Sequence, residues 1–337
     1  MTDKMIGLTP EVHGVGGMLS FRNKLAAGLR QRGVRVISDI EDPAINALLV
    51  IGGTRDLAGL RRARRRGVRI VQRLDGINWI HRRRRTGIRH FVRAEIGNLL
   101  LRTIRDRLAT GIVYQSEFVK DWWERVYGPA GKPDTVIHNA VDLAVYNPHG
   151  DETVPQDHFR LLLVEGSLQG GYEIGLATAV DLCRRLDGVL TKSVKLAVAG
   201  LVSSEMKARY DIVLTDIAWL GLVPPEEIPV LDRTAHVLFS ADLNPACPNA
   251  VIEALACGLP VAAFATGALR ELVGEEAGVV VPYGGDPWKL DPPDVDGLAR
   301  AAIPLFEHQE EYRRAARKRA EHMFDLDRMV KAYLDVL

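Results

Sequence analysis

The chain has 337 residues, 47% hydrophobic and 26% charged, the proportions of a soluble protein long enough for two domains with separate cores. No run approaches the roughly 18 apolar residues of a membrane span. Met1-Thr2-Asp3-Lys4 does not open a signal peptide, and Cys183, Cys247 and Cys257 lack paired spacing, which argues against structural zinc and fits a reducing cytoplasm. The net charge of +1 hides two opposite halves: residues 1–150 carry 26 basic and 14 acidic side chains, the remainder 18 and 29. Such asymmetry predicts two domains with different partners, the basic one facing something anionic.

Residues 5–8 read as a first strand, followed by a loop ending in Gly14-Val15-Gly16-Gly17. Met18, Phe21, Leu25 and Leu29 then recur at helical spacing up to Gly33. Glycines between a strand and a helix start let the backbone approach a phosphate, although Leu19 stands where a dinucleotide fingerprint would have its third glycine. Strands follow at 34–37, 47–51 and 68–71, with a basic helix near 57–66. Asp75-Gly76-Ile77-Asn78 comes after the last of these, where ligands gather in parallel sheets. His81 and Arg82–Arg85, with Arg61, Arg62, Arg64, Arg65 and Arg66 upstream, make this half strongly cationic, and Trp79 and Ile80 precede the run as residues suited to an interface. Gly111–Tyr114 is a strand leading into a helix capped by Ser116, and His138-Asn139-Ala140-Val141-Asp142 closes the half before a hinge-like stretch at 147–152.

The acidic half repeats the alternation. Arg160–Val164 is a strand, Gly166-Ser167-Leu168-Gln169-Gly170-Gly171 its loop and 172–186 a helix, with further strands at 194–198, 218–222 and 235–239. Strand–helix alternation in both halves implies parallel sheets covered by helices. Next comes Pro245-Ala246-Cys247-Pro248-Asn249-Ala250-Val251-Ile252-Glu253-Ala254-Leu255-Ala256-Cys257-Gly258-Leu259-Pro260-Val261, a loop entering a short helix that stops at Gly258 before a buried strand. Asn249 reads as the residue that opens the helix. The unpaired N–H groups of a helix start suit a phosphate, and Glu253 lies one turn on, placed to accept hydrogen bonds from sugar hydroxyls. Two charged helices end the chain.

The 245–261 segment resembles the donor-binding motif of family 4 glycosyltransferases, Glu-Gly-Phe-Pro-Asn-x-x-x-Glu-Ala-x-Ala-x-Gly-x-Pro-Val. Pro248, Asn249, Glu253, Ala254, Ala256, Gly258, Pro260 and Val261 match, whereas Pro245 stands where the first of two paired glutamates belongs. The order of the loop at Gly16-Gly17, the segment at 138–142, the acidic half and the terminal helices resembles that family along nearly the whole chain. The resemblance implies an α/β fold of GT-B type, two Rossmann-like doubly wound lobes facing across a cleft. It implies domains at 1–148 and 149–321, with a final helix at about 322–337 packing back on the first.

It further implies a retaining, metal-independent transfer of sugar from a nucleotide-diphospho-sugar to a glycan, lipid-linked saccharide or similar cell-envelope acceptor. Donor contacts would come from Gly16, Gly17, Gly166, Ser167, Gln169, Pro248, Asn249, Ala250 and Glu253, the last on the ribose. Asp75 would touch the transferred sugar. The family usually has Arg at the place of Ser167 and Lys near Gln169, two cations that neutralise the leaving diphosphate. His138 is a further candidate near the hinge, and Glu271, in a pattern resembling one that packs near the donor, reads as a structural helix acid. The segments expected to line the cleft carry no Asp-x-Asp, no metal or other cofactor is expected, and nothing accompanies the arginines that would read nucleic acid. The chain is therefore expected in the cytoplasm, its basic half in peripheral contact with an anionic membrane. Two alternatives stay open: a nucleotide-sugar epimerase on the same fold, and a homologue that binds nucleotide-sugar with little turnover.

Overall fold

The computed structural model describes residues 4–11, 16–85, 87–168, 173–214 and 216–337. The chain forms two compact units, residues 1–140 with 326–337, and residues 141–325.

In chain order the first unit runs β1 (Met5–Thr9), α1 (Gly17–Gln31), β2 (Arg35–Ile37), β3 (Ala47–Ile51), α2 (Leu57–Arg65), β4 (Arg69–Leu74), α3 (Ile88–Thr103), β5 (Gly111–Tyr114), α4 (Glu117–Tyr127) and β6 (Asp134–Val136). The strands pair in parallel in the order β2-β1-β3-β4-β5-β6. Central strands of such a sheet are covered on both faces and read as unbroken apolar runs. Ala47–Ile51 is one, buried at every position. Helix starts follow ordinary capping chemistry: Asp56 accepts from the Gly59 amide and Ser116 from that of Val119.

The second unit contains β7 (Phe159–Ser167), α5 (Glu173–Asp187), β8 (Val194–Leu201), α6 (Ser204–Asp211), β9 (Ile217–Gly221), α7 (Ile228–Thr234), β10 (Val237–Phe239), α8 (Asn249–Ala256), β11 (Val261–Phe264), α9 (Leu269–Val273), β12 (Gly278–Val281), α10 (Val295–Glu307) and α11 (Gln309–Met323). Its sheet, again parallel, has the order β12-β11-β10-β7-β8-β9. Leu161, Leu163, Leu176, Leu182, Leu196, Leu298 and Leu305 build one core between the sheet, α5 and α10.

The last helix, α12 (Leu326–Val336), is part of the first unit. Its Tyr333 is fully buried, with its ring 5.3 Å from that of Phe21 on α1. Val330 lies so close to α1 that a Cβ on Gly28 would meet its Cγ2 at 2.5 Å, so a residue smaller than alanine sets how near the two helices come. Among the described residues no helix is long and apolar enough to cross a membrane.

Truncating Tyr333 removes a large aromatic from a closed interface. Tyr333→Ala should lower the unfolding free energy by about 3–5 kcal/mol, read from denaturant titration. A loss within error of zero would show that α12 is dispensable to its unit.

Candidate functional site

Ligands of open parallel sheets bind outside the carboxyl ends of the strands, where the strand order reverses. In the second sheet the chain leaves β7 toward β8 on one side and resumes with β10 on the other, so the reversal lies between β7 and β10. Glu165-Gly166-Ser167 forms the end of β7, with Gly166 and Ser167 exposed. The adjoining loop residues Gln169, Gly170 and Gly171 fall outside the described residues. Gly200 on β8 is needed here: it has φ +148°, and a Cβ would meet the Glu165 carbonyl oxygen at 2.3 Å.

Beyond β10 the chain turns through Ser240-Ala241-Asp242-Leu243-Asn244 into α8. Asn244 has φ 55° and an amide nitrogen that is buried without a hydrogen-bond partner. Gly267, also left-handed, packs against this turn so tightly that a Cβ would lie 2.4 Å from the Pro245 nitrogen, and the Pro245 carbonyl accepts from the Ala268 amide at 2.9 Å. The residue at the place of the expected glutamate is therefore a buried part of the loop scaffold.

Helix α8 begins with Asn249, and Pro248 is its cap residue, with no side-chain cap bond. Asn249 thus opens the helix, with Pro248 in the cap position before it. Pro248, Asn249, Ala250 and Glu253 are all half-buried. The opposite end of α8 is held firmly. Arg317 on α11 donates to the carbonyl oxygens of Ala256 and Tyr146, both at 2.8 Å, satisfying a helix end that carries partial negative charge. Arg319 does the same for α9 through the carbonyls of Leu272 and Glu271, at 3.1 and 2.6 Å. That gives the Glu271 segment a structural part.

Sequence reasoning missed a pair of carboxyl groups. Glu165 lies near the end of β7, and Asp242 lies three residues past β10, one residue beyond the position that the parallel register sets opposite Glu165. Burial, and then the charge of Asp242, push Glu165 up to about 8. Burial pushes Asp242 up to about 6, against the hydrogen bond from the Leu243 backbone. At neutral pH the pair retains a proton and can both donate to and accept from hydroxyl groups. The available signal was an acidic residue directly before Gly166, closing the apolar run Leu161–Val164. A third carboxyl, on Asp232 of α7, is fully buried and raised well above its ordinary range by burial and then by Glu253. Glu253 also acts on the Tyr146 hydroxyl, placing its side chain on the α7 side of α8.

The remaining candidates belong to the first unit. Gly16 caps α1 with φ 129°, a conformation open mainly to glycine, and Gly17 is the first helical residue; Gly14 lies outside the described residues. The reversal in this sheet falls between β1 and β3, so Gly52-Gly53 after β3 share that edge with Gly16-Gly17. Asp75 follows β4 on the same edge. Its carbonyl accepts from Trp123 Nε1 at 2.7 Å, and burial raises its carboxyl while Arg73 counteracts. Arg73, 2% exposed, donates to Asn139 Oδ1 at 2.6 Å and lies 3.7 Å over the Phe21 ring. In the 138–140 segment it is thus Asn139 that ties the end of β4 in place.

Residues 162–308 match the model of a family described as Glycosyl transferases group 1. By this domain the chain is a glycosyltransferase. No curated protein sequence matches the chain. Among solved structures, sucrose-phosphate synthase from Thermosynechococcus elongatus superposes with TM-score 0.77 at 15% identity, over 99% of this chain and 98% of the other. HepE of Anabaena in complex with UDP-glucose gives 0.67 at 16%, over 99% and 100%. WaaG, a glycosyltransferase involved in lipopolysaccharide biosynthesis, gives 0.69 at 12%, over 98% and 99%. These likenesses establish the GT-B fold, with its two Rossmann-like units, for this glycosyltransferase.

The Glu165 carboxyl gives a prediction with a definite sign. Between the ordinary carboxylate range and about pH 8 the folded chain keeps a proton that the unfolded chain has lost, so this group disfavours folding increasingly as pH rises. Glu165→Gln should therefore gain in melting temperature relative to the parent from about pH 5 to about pH 8. A gap that shrinks over that range would contradict the placement of the pair.

Proposed function

We propose that the protein moves a sugar from a nucleotide-diphospho-sugar to a saccharide or lipid-linked saccharide acceptor, with retention and without a metal ion. The observation that carries this is the meeting at the β7/β10 reversal of an exposed strand end at Gly166-Ser167 with the turn into a helix that has no side-chain cap and has a carboxylate one turn inside. The diphosphate lies over the start of α8, where amide groups and the helix dipole favour negative charge. Glu253 accepts hydrogen bonds from the ribose hydroxyls. UDP-glucose in HepE is a donor of this class.

Departure of the nucleoside diphosphate develops negative charge, which cations commonly offset by several kcal/mol. Ser167 supplies a hydroxyl instead, so the start of α8 and the amides around Gly166 carry more of that stabilisation here. Gln169 stays a proposed donor contact in the same loop. Pro245 has no carboxylate to offer the sugar, and the Glu165–Asp242 pair is the acidic group nearest the same edge; it takes over binding of the sugar hydroxyls. Gly16 and Gly17 stay proposed donor contacts, and Asp75 is the residue proposed to touch the transferred sugar. Metal independence is supported by the jobs of the two Asp-x-Asp sequences, at 294–296 and at 325–327, where Asp327 pairs with Arg32. Asp294 caps α10 by accepting from the Gly297 amide, and Asp296 pairs with Arg185.

Turnover tests the reading. Incubation with UDP-, GDP- and ADP-sugars and saccharide acceptors should release nucleoside diphosphate from one donor. Epimerised donor, or binding heat without release from any donor, would overturn it in favour of an epimerase or a binding protein. Glu253→Ala should weaken nucleotide binding by about 10- to 100-fold, the value of hydrogen bonds to a charged acceptor, measured by calorimetry. Unchanged affinity would remove the ribose role. Asp242→Asn should lower kcat by on the order of tenfold with a smaller change in donor affinity. Unaltered kcat would separate the acidic pair from the sugar.

A further inference from the structure

Helix α3 carries an apolar face that its own unit does not cover. It packs inward through Ala94, Asn98 and Leu101, all buried. Its rotation is fixed by Asn98, whose Oδ1 accepts from the Asn78 backbone and side-chain nitrogens, both at 3.0 Å, and whose Nδ2 donates to the Asn78 carbonyl at 2.9 Å. The adjoining face carries Ile88, Phe91, Val92, Ile96 and Leu99, all exposed, Ile88 to 81% and Leu99 to 62%. At 3.6 residues per turn these five fall within an arc of about 140°. Trp79 and Ile80, the residues that the sequence suggested for an interface, are half-buried and contribute little to this stripe.

Cations border the stripe on both sides. Arg89 and Arg93 follow it round the helix and are exposed. On the other side a groove is lined by Arg82–Arg85 together with Ile88 and Phe91. From 76 to 94 the chain has six arginines and no Asp or Glu. Glu95 is the nearest acid on the helix and is already engaged: it takes two bonds from Arg82, at 2.6 and 2.8 Å, and one contact with His81 at 2.8 Å. Those partners, Arg82 first, hold its carboxyl down at about 2 and tie the arginine loop to the start of α3.

A solvated charge run explains arginines but not five exposed aliphatic and aromatic side chains on one helix face. A nucleic-acid backbone would satisfy the charge and leave that face in water. We propose that α3 and the Arg82–Arg85 loop form a docking surface for an anionic phospholipid bilayer. The apolar face enters the boundary between headgroups and acyl chains, and the flanking guanidinium groups meet lipid phosphates. This does not depend on the donor reading, and it gives the arginine-rich half a defined partner.

Co-sedimentation of the full chain with vesicles tests the proposal. Vesicles of phosphatidylcholine and phosphatidylglycerol in roughly a two-to-one ratio should bind it at least about tenfold better than phosphatidylcholine alone, because each arginine near an anionic surface gains on the order of fivefold. Ile88→Asp combined with Leu99→Asp should abolish binding while leaving the melting temperature unchanged, since both positions are exposed. Arg83→Glu with Arg85→Glu should lower binding by at least tenfold, with the remainder less sensitive to salt. Three outcomes would overturn the proposal: no partition to anionic vesicles, equal partition of the Ile88/Leu99 variant, or a dimer disrupted by these substitutions in a protein that ignores vesicles.

Discussion

The site depends on how α8 is held. A helix of eight residues has little stability of its own, and its dipole is useful only if its start stays aimed at the edge of the sheet. Arg317 supplies that constraint, with one guanidinium nitrogen bonded to the carbonyls of Ala256 and Tyr146. Hydrogen bonds from a charged donor to the last turn of a helix are stronger than neutral ones and favour the negative end of the dipole. The far end of α8 is thereby fixed, and at the near end Pro248 contributes neither an N–H nor a side-chain cap.

The two units solve one problem with different materials. Each puts glycine at the reversal of its sheet order, Gly16-Gly17 and Gly52-Gly53 in the first, Gly166 in the second. The first surrounds its edge with a buried guanidinium, Arg73, stacked on Phe21 and bonded to Asn139. The second surrounds its edge with carboxyl groups raised by burial, Glu165, Asp242 and, deeper, Asp232. At neutral pH the Glu165–Asp242 pair keeps one proton, which lowers the negative charge at this edge of a unit whose sequence is strongly acidic.

Much of the fold was legible because parallel strands advertise themselves: Ala47–Ile51 and Leu161–Leu163 are apolar runs bounded by glycine or polar loops. The fragment from Pro248 to Val261 was legible for a different reason, its specific residue pattern, and in the structure it forms α8 and leads into β11. The helix start at Asn249 was legible as well, and the extended backbone of Pro248 (φ −69°, ψ 123°) makes the transition into it. Glu165 and Asp242 are 77 residues apart, and only strand register brings them to one edge. The apolar face of α3 was hidden too, because Ala94 and Leu101 on one side and Ile88 and Leu99 on the other give the helix two apolar faces. Periodicity alone does not say which one is covered.

The central claim, that the start of α8 and the end of β7 seat a nucleoside diphosphate, is tested most directly by backbone amide NMR during titration with UDP, GDP and ADP. For one of the three, the largest shifts should fall on Gly166, Asn249, Ala250 and Val251, with little change at the far end of α8 where Arg317 holds it. Saturable binding with shifts confined elsewhere, or no shift at these amides with any of the three, would contradict the account.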